Sequence, residues 1–121
     1  MTPFGRRMRE MRHERGVTLT QMAEQIGVSA AYLSALEHGK RGQPTWMMLQ
    51  RIMAYFNVIW DEAEELQRLA ELSDPKVSID TGGMAPEATE LANRLAADIG
   101  RLSAEDLTFL KTEVMKRVGR R

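Results

Sequence analysis

The sequence predicts an all-α fold, with five helices in an N-terminal domain and two more in a C-terminal extension. Three observations lead there. Apolar residues recur three and four positions apart along most of the 121 residues. The segments so defined open on Thr or Ser caps and close at Gly, Asn or Pro. Only one stretch, Val77-Ser78-Ile79, sits in the polar–apolar alternation of a strand, which allows at most one short strand in a linker.

Taken in order, Thr2-Pro3 supplies a cap followed by proline at the first helical position, and Phe4, Met8 and Met11 then mark one face until Gly16 stops the helix. Thr18-Leu19-Thr20-Gln21 is a capping box, since the Thr18 hydroxyl can accept from the Gln21 N–H while the Gln21 side chain returns to Thr18. The second helix runs through Ile26 and ends at Gly27. Ser29 caps a third from Ala30 to about Glu37, and Gly39 can take the left-handed terminating conformation. Pro44-Thr45 restarts the chain into a fourth helix carrying Leu49, Ile52, Met53 and Phe56, which Asn57 can stop. A fifth begins near Trp60, has Asp61 and Glu62 against its positive dipole end, and buries Ala63, Leu66, Leu69 and Ala70 before Asp74-Pro75. Residues 75–86 read as a linker. Residues 87–121 then read as a helical hairpin, with Leu91, Leu95, Ile99 and Leu102 on one stripe. Behind a second capping box, Ser103 to Asp106, the other stripe is Leu107, Leu110, Val114 and Val118.

Composition narrows the function. Apolar residues make up 43% and charged residues 28%, as in a soluble globular chain. No apolar run approaches the ~18–20 residues of a membrane span, no signal-peptide segment opens the chain, and there is no cysteine for disulfides or thiolate zinc sites. The cytoplasm is the expected compartment. Net charge is zero, but its distribution is uneven. Arg6, Arg7, Arg9, Arg12, Arg15, Lys40, Arg41 and Arg51 face only Glu10, Glu14, Glu24 and Glu37 within residues 1–55. The next segment holds Asp61, Glu62, Glu64, Glu65, Glu71 and Asp74 against Arg68 alone. A local basic patch, rather than the total, sets the field that a phosphate meets. His13 lacks any spaced metal-ligand partner, Gly82-Gly83 is no phosphate loop, and no nucleophile–base pairing suggests an enzyme. The nine methionines read as core packing, and no cofactor or small-molecule effector is expected.

The informative stretch is residues 18–44. Two short capped helices are joined by Gly27-Val28-Ser29, a turn tight enough to hold them at a fixed angle. Ala23 lies where they cross, and Val28, Leu33 and Leu36 point inward. Ala30, Ala31, Ser34 and Ala35 are left outward, flanked by Tyr32 and His38. A major groove admits one α-helix, so a helix held proud in this way can read base edges. A bundle without any DNA role would share the packing, Tyr32 could be an ordinary surface aromatic, and His38 a simple helix-end residue.

This stretch resembles the lambda-repressor-like helix-turn-helix domains of the XRE family. The likeness lies in Gln21 with nearby Ala23, in Gly27-Val28-Ser29, in Tyr32-Leu33-Ser34 and in Glu37-x-Gly39-x-Arg41, and it runs from about Phe4 to Leu72. The resemblance implies a five-helix DNA-binding domain over residues 1–74 and double-stranded DNA as partner. It implies an ion pair between Arg12 and Glu37, base contacts from Ala30, Ala31, Tyr32, Ser34 and Ala35, and phosphate contacts from Thr18, Leu19, Thr20, His38, Lys40 and Arg41. Many relatives carry Gln, Asn or Arg where this chain has three alanines; alanine can touch a thymine methyl but donates no hydrogen bond. Readout then leans on thymine, Ser34, Tyr32 and DNA shape.

The expectation is a homodimeric, nucleoid-associated bacterial repressor or activator on a two-fold symmetric operator. Val77, Ile79, Leu91, Leu95, Ile99, Leu107, Leu110 and Val114 would form the dimer. The alternative is an antitoxin-type protein that autoregulates through the same motif and grips a partner with its C-terminal helices.

Overall fold

The computed structural model describes residues 1–40 and 42–120, which are helical over most of their length. They divide into two compact units, Met1–Val77 and Ser78–Arg121. The first holds α1 (Pro3–Glu14), α2 (Leu19–Ile26), α3 (Ala30–Glu37), α4 (Trp46–Phe56) and α5 (Trp60–Glu71). Their starts follow from local chemistry. Thr2, Thr18, Ser29 and Thr45 each accept a hydrogen bond from a backbone N–H in the first turn of the helix they precede. Asn57, at the end of α4, adopts a left-handed φ of 54°, which its short polar side chain tolerates better than most.

All five helices contribute to one core. Phe4, Met8 and Met11 of α1, Met22 and Ala23 of α2, and Leu33 and Leu36 of α3 meet Met48, Leu49, Ile52, Met53 and Phe56 of α4 with Leu66 and Ala70 of α5. Long-range polar ties fix the helices to each other. The Ser73 hydroxyl accepts from the Phe4 N–H at 2.9 Å, so the residues just after α5 hold the start of α1. Arg15 donates to the Phe56 carbonyl at 2.7 Å, and its guanidinium lies 5.0 Å from the centre of that residue's ring.

In the second unit, α6 (Pro86–Asp98) is followed by a 3-10 turn over Ile99–Arg101 and then by α7 (Ala104–Arg117). The structure corrects the sequence reading here in two ways. First, α6 stops at Asp98, so Ile99 and Leu102 leave its helical stripe; Gly100 and the Ser103 cap that starts α7 compress the chain into a tight connection. Second, Val77 and Ile79 form no strand, because no second extended segment among the described residues offers their N–H and C=O groups a ladder. The apolar residues of the two stripes stay largely uncovered within the unit. No residue of α6 or α7 is buried, and Leu91, Ile99, Leu107, Leu110, Val114 and Val118 all remain exposed. No helix among the described residues is long and apolar enough to cross a membrane.

Candidate nucleic-acid interface

The pair α2–α3 is built from its turn outward. Gly27 closes α2 in the left-handed region at φ 82°, and both its N–H and that of Val28 bond to the Ala23 carbonyl, at 2.9 and 3.0 Å. This turns the chain directly into the Ser29 cap, whose hydroxyl accepts from the Tyr32 N–H at 3.0 Å. Leu33, Leu36 and Glu37 are the buried side of α3. Its end is a Schellman motif, in which the Lys40 N–H reaches the Ala35 carbonyl at 2.9 Å and the Gly39 N–H the Leu36 carbonyl at 3.3 Å, with Gly39 at φ 78°.

The outward face of α3 is narrower than the sequence reading made it. At 100° per residue, Leu33, Leu36 and Glu37 define the inner direction, and Ala30 and Tyr32 fall on its two shoulders. Both are half-buried and pack on the core, Ser34 and Ala35 are half-buried, and Ala31 and His38 are exposed. His38 Nδ1 lies 2.9 Å from the Ser34 carbonyl. A carbonyl only accepts, so Nδ1 carries the proton and Nε2 is the nitrogen left for a ligand.

At the start of α2 the capping box uses two of the first N–H groups. Gln21 N–H donates to the Thr18 hydroxyl at 3.1 Å, and Thr18 N–H donates to the Gln21 side-chain oxygen at 2.9 Å. The intervening N–H groups of Leu19 and Thr20 lack a partner among the described residues, which leaves them for an anion at the positive end of the helix dipole. The Leu19 side chain itself packs on the core, so only its backbone is available. Lys40 is exposed just beyond α3; Arg41 lies outside the described residues.

Beneath α3, Arg12 and Glu37 form the ion pair that anchors it to α1. Arg12 Nη2 donates to both carboxylate oxygens of Glu37, at 3.2 and 3.1 Å, with the two residues 6% and 1% exposed. Sequence reasoning missed two other parts of this junction. Arg9 adds a second bond to Glu37 at 3.2 Å, and the Thr2 N–H donates to the Glu37 carbonyl at 3.2 Å. Gly5 packs against that same carbonyl, where a Cβ would lie only 2.6 Å from the carbonyl carbon. Among the described residues, no group of three or more His, Asp or Glu is placed to hold a metal ion.

Comparison with known proteins agrees with this geometry. The model of a family described as a helix-turn-helix domain matches residues 3–69. Among curated proteins, an uncharacterized HTH-type transcriptional regulator, RghRB of Bacillus subtilis (strain 168), is 38% identical over 61 residues, covering 50% of this chain and 44% of that protein. The HTH-type transcriptional repressor RghR of the same strain is 50% identical over 44 residues, or 36% of this chain and 33% of the relative. The HTH-type transcriptional regulator SinR, also from that strain, is 31% identical over 68 residues, or 53% and 61%. The chain thus spans about half the length of the curated relatives it matches. No solved structure gives a significant match. The family match takes in all of α1 to α4 and most of α5, in keeping with the likeness to lambda-repressor-like domains: this chain belongs to the helix-turn-helix domain family.

Proposed function

We propose that the protein is a sequence-specific DNA-binding transcriptional regulator that acts as a homodimer on a two-fold symmetric operator. The observation that carries this reading is the seating of α3. A helix fixed by the Gly27 turn and the Arg12–Glu37 pair presents a face of small side chains around Ala31 and Ala35. Such a face lets the helix approach base edges closely, with thymine methyl groups as its natural contacts. Ser34 supplies the polar readout together with His38 Nε2, which takes this role in place of the phosphate contact that the resemblance implies for it, and Ala30 and Tyr32 act from the shoulders. Phosphates on either side meet the Leu19 and Thr20 N–H groups at the start of α2, and Lys40 with Arg41 after α3. The relatives are named as transcriptional regulators, which favours this reading over an antitoxin role.

Selection of bound fragments from random DNA tests it. The expected product is an inverted repeat whose half-sites are centred about 34–36 Å apart, one helical turn or a multiple of it. Enrichment of no sequence would overturn the proposal, and a single unrepeated half-site would remove its dimeric part.

Two substitutions separate the roles within the interface. Lys40→Ala should weaken binding about equally on selected and random DNA, and should reduce the slope of log affinity against log salt by ~0.9, the contribution of one phosphate contact. Ala31→Arg should instead change which site is selected, because arginine pairs with guanine where alanine touches thymine. Titrations on both DNAs at several salt concentrations would show the reverse pattern if the assignment were inverted.

A further inference from the structure

We infer that His38 reads amino groups on the bound DNA, its Nε2 accepting from adenine N6 or cytosine N4 in the major groove. This rests on the DNA-binding reading above and deepens it by naming the base edge that one residue selects. The first observation is position. His38 is the C-cap of α3, one residue past its last helical position. At 100° per residue it lies about 20° from Ala31 and within about 60° of Ser34 and Ala35, on the side away from the buried Leu33, Leu36 and Glu37. It is exposed there. Ala31 and Ala35 carry no hydrogen-bonding side chain, and Ser34 is short and half-buried. The imidazole is therefore the longest polar group on this face of α3.

The second observation is the hydrogen bonding of the ring. The Ser34 carbonyl accepts twice from His38, from its backbone N–H at 3.1 Å and from Nδ1 at 2.9 Å. Together these bonds fix the ring relative to the helix and commit its one N–H to the carbonyl. A neutral imidazole held in this way presents Nε2 as a bare acceptor. Phosphate oxygens also only accept, so Nε2 offers them nothing, whereas the exposed Lys40 two residues on does. Base edges differ. In the major groove adenine and cytosine present an amino donor where thymine and guanine present a keto oxygen. Nε2 thus meets a donor on one pair of bases and a second acceptor on the other. Two acceptors pressed together lose water without gaining a bond, which costs more than the matched contact gains. His38 therefore separates amino from keto bases and leaves the choice between adenine and cytosine to its neighbours.

The test selects bound fragments from random DNA with the full chain in three forms: wild type, His38→Ala and His38→Arg. The wild type should enrich a site with one position held to adenine or cytosine on one strand. His38→Ala should relax that position to all four bases and keep the rest of the site, and His38→Arg should move it to guanine, whose O6 and N7 take arginine. In a selected site carrying adenine there, substitution by the nucleobase purine removes the N6 amino group alone. This should weaken wild-type binding about fivefold for each contact and leave His38→Ala binding unchanged. Loss of the bond to the Ser34 carbonyl alters the end of α3 equally on every DNA, so a merely structural role moves neither readout. If His38→Ala relaxes no position, or lowers the salt slope on all DNA instead, the inference is overturned and the DNA-binding reading stands. Guanine or thymine at the wild-type position would overturn it equally. Enrichment of no site at all would overturn that reading, and the role of His38 with it.

Discussion

Glu37→Ala is expected to cost about 3–5 kcal/mol of folding stability, the typical effect of removing one partner from a buried ion pair. The size follows from what remains behind. Arg12 is 6% exposed and loses both bonds from Nη2, at 3.2 and 3.1 Å, while its Nε already has no partner among the described residues. A guanidinium cannot discharge itself by losing its proton, so the charge stays in place without compensation. Arg9 also loses its 3.2 Å contact, but its side chain is 43% exposed and water replaces the carboxylate there. Against a total stability of roughly 5–15 kcal/mol, the change lowers the melting temperature by more than about 10 °C. Glu37→Gln should fall between, since it keeps one acceptor oxygen and the volume but not the charge. Thermal and urea melts of the three proteins provide the measurement, and a Glu37→Ala curve that overlays the wild type would sink the claim.

This junction also marks how far the sequence could be read. Capping boxes at Thr18–Gln21 and Ser103–Asp106, the left-handed stops at Gly27 and Gly39, and the apolar faces of the helices depend on residues a few positions apart, so they were legible as written. Arg12 and Glu37 are 25 residues apart and became readable only through the family resemblance. Nothing in the neighbourhood of Ser73 announces that its hydroxyl holds the Phe4 N–H, 69 residues away. The same limit applies to the face of α3. Spacing identifies the residues pointing inward, but the breadth of the outward side depends on how closely neighbouring helices approach. That approach half-buries Ala30 and Tyr32. In the second unit, periodicity suggested apolar stripes but missed that the chain leaves the helix at Ile99, and it could not say what covers Leu91, Leu107, Leu110 and Val114, which stay exposed.

Gly5→Ala should be strongly destabilising although it is the substitution that usually favours a helix. Alanine is better than glycine by about 1 kcal/mol within a helix interior, and Gly5 lies in the first turn of α1. Opposed to this gain is the carbonyl of Glu37. A Cβ at position 5 would overlap its oxygen, and would lie 2.6 Å from its carbon and 2.7 Å from the Glu37 Cα. All three atoms are backbone, so no side-chain rotation relieves the overlap; α1 and the end of α3 must move apart by on the order of 1 Å, given carbon contacts of about 3.5 Å. That displacement stretches the 3.2 Å bond from the Thr2 N–H to the same carbonyl and pulls Glu37 from Arg12 and Arg9. Overpacking a well-filled site typically costs about 1–3 kcal/mol, and with a rigid obstacle and an ion pair coupled to it the loss should reach about 3 kcal/mol. Arg6→Ala, one position along on the exposed side of the same helix, provides the control and should stay within about 0.5 kcal/mol of the wild type. Because the strain falls on the residue that seats α3, Gly5→Ala should weaken binding to the selected DNA site more than to random DNA. Denaturant melts showing Gly5→Ala as stable as the wild type would mean that the close approach of α1 and α3 is not what holds the recognition helix.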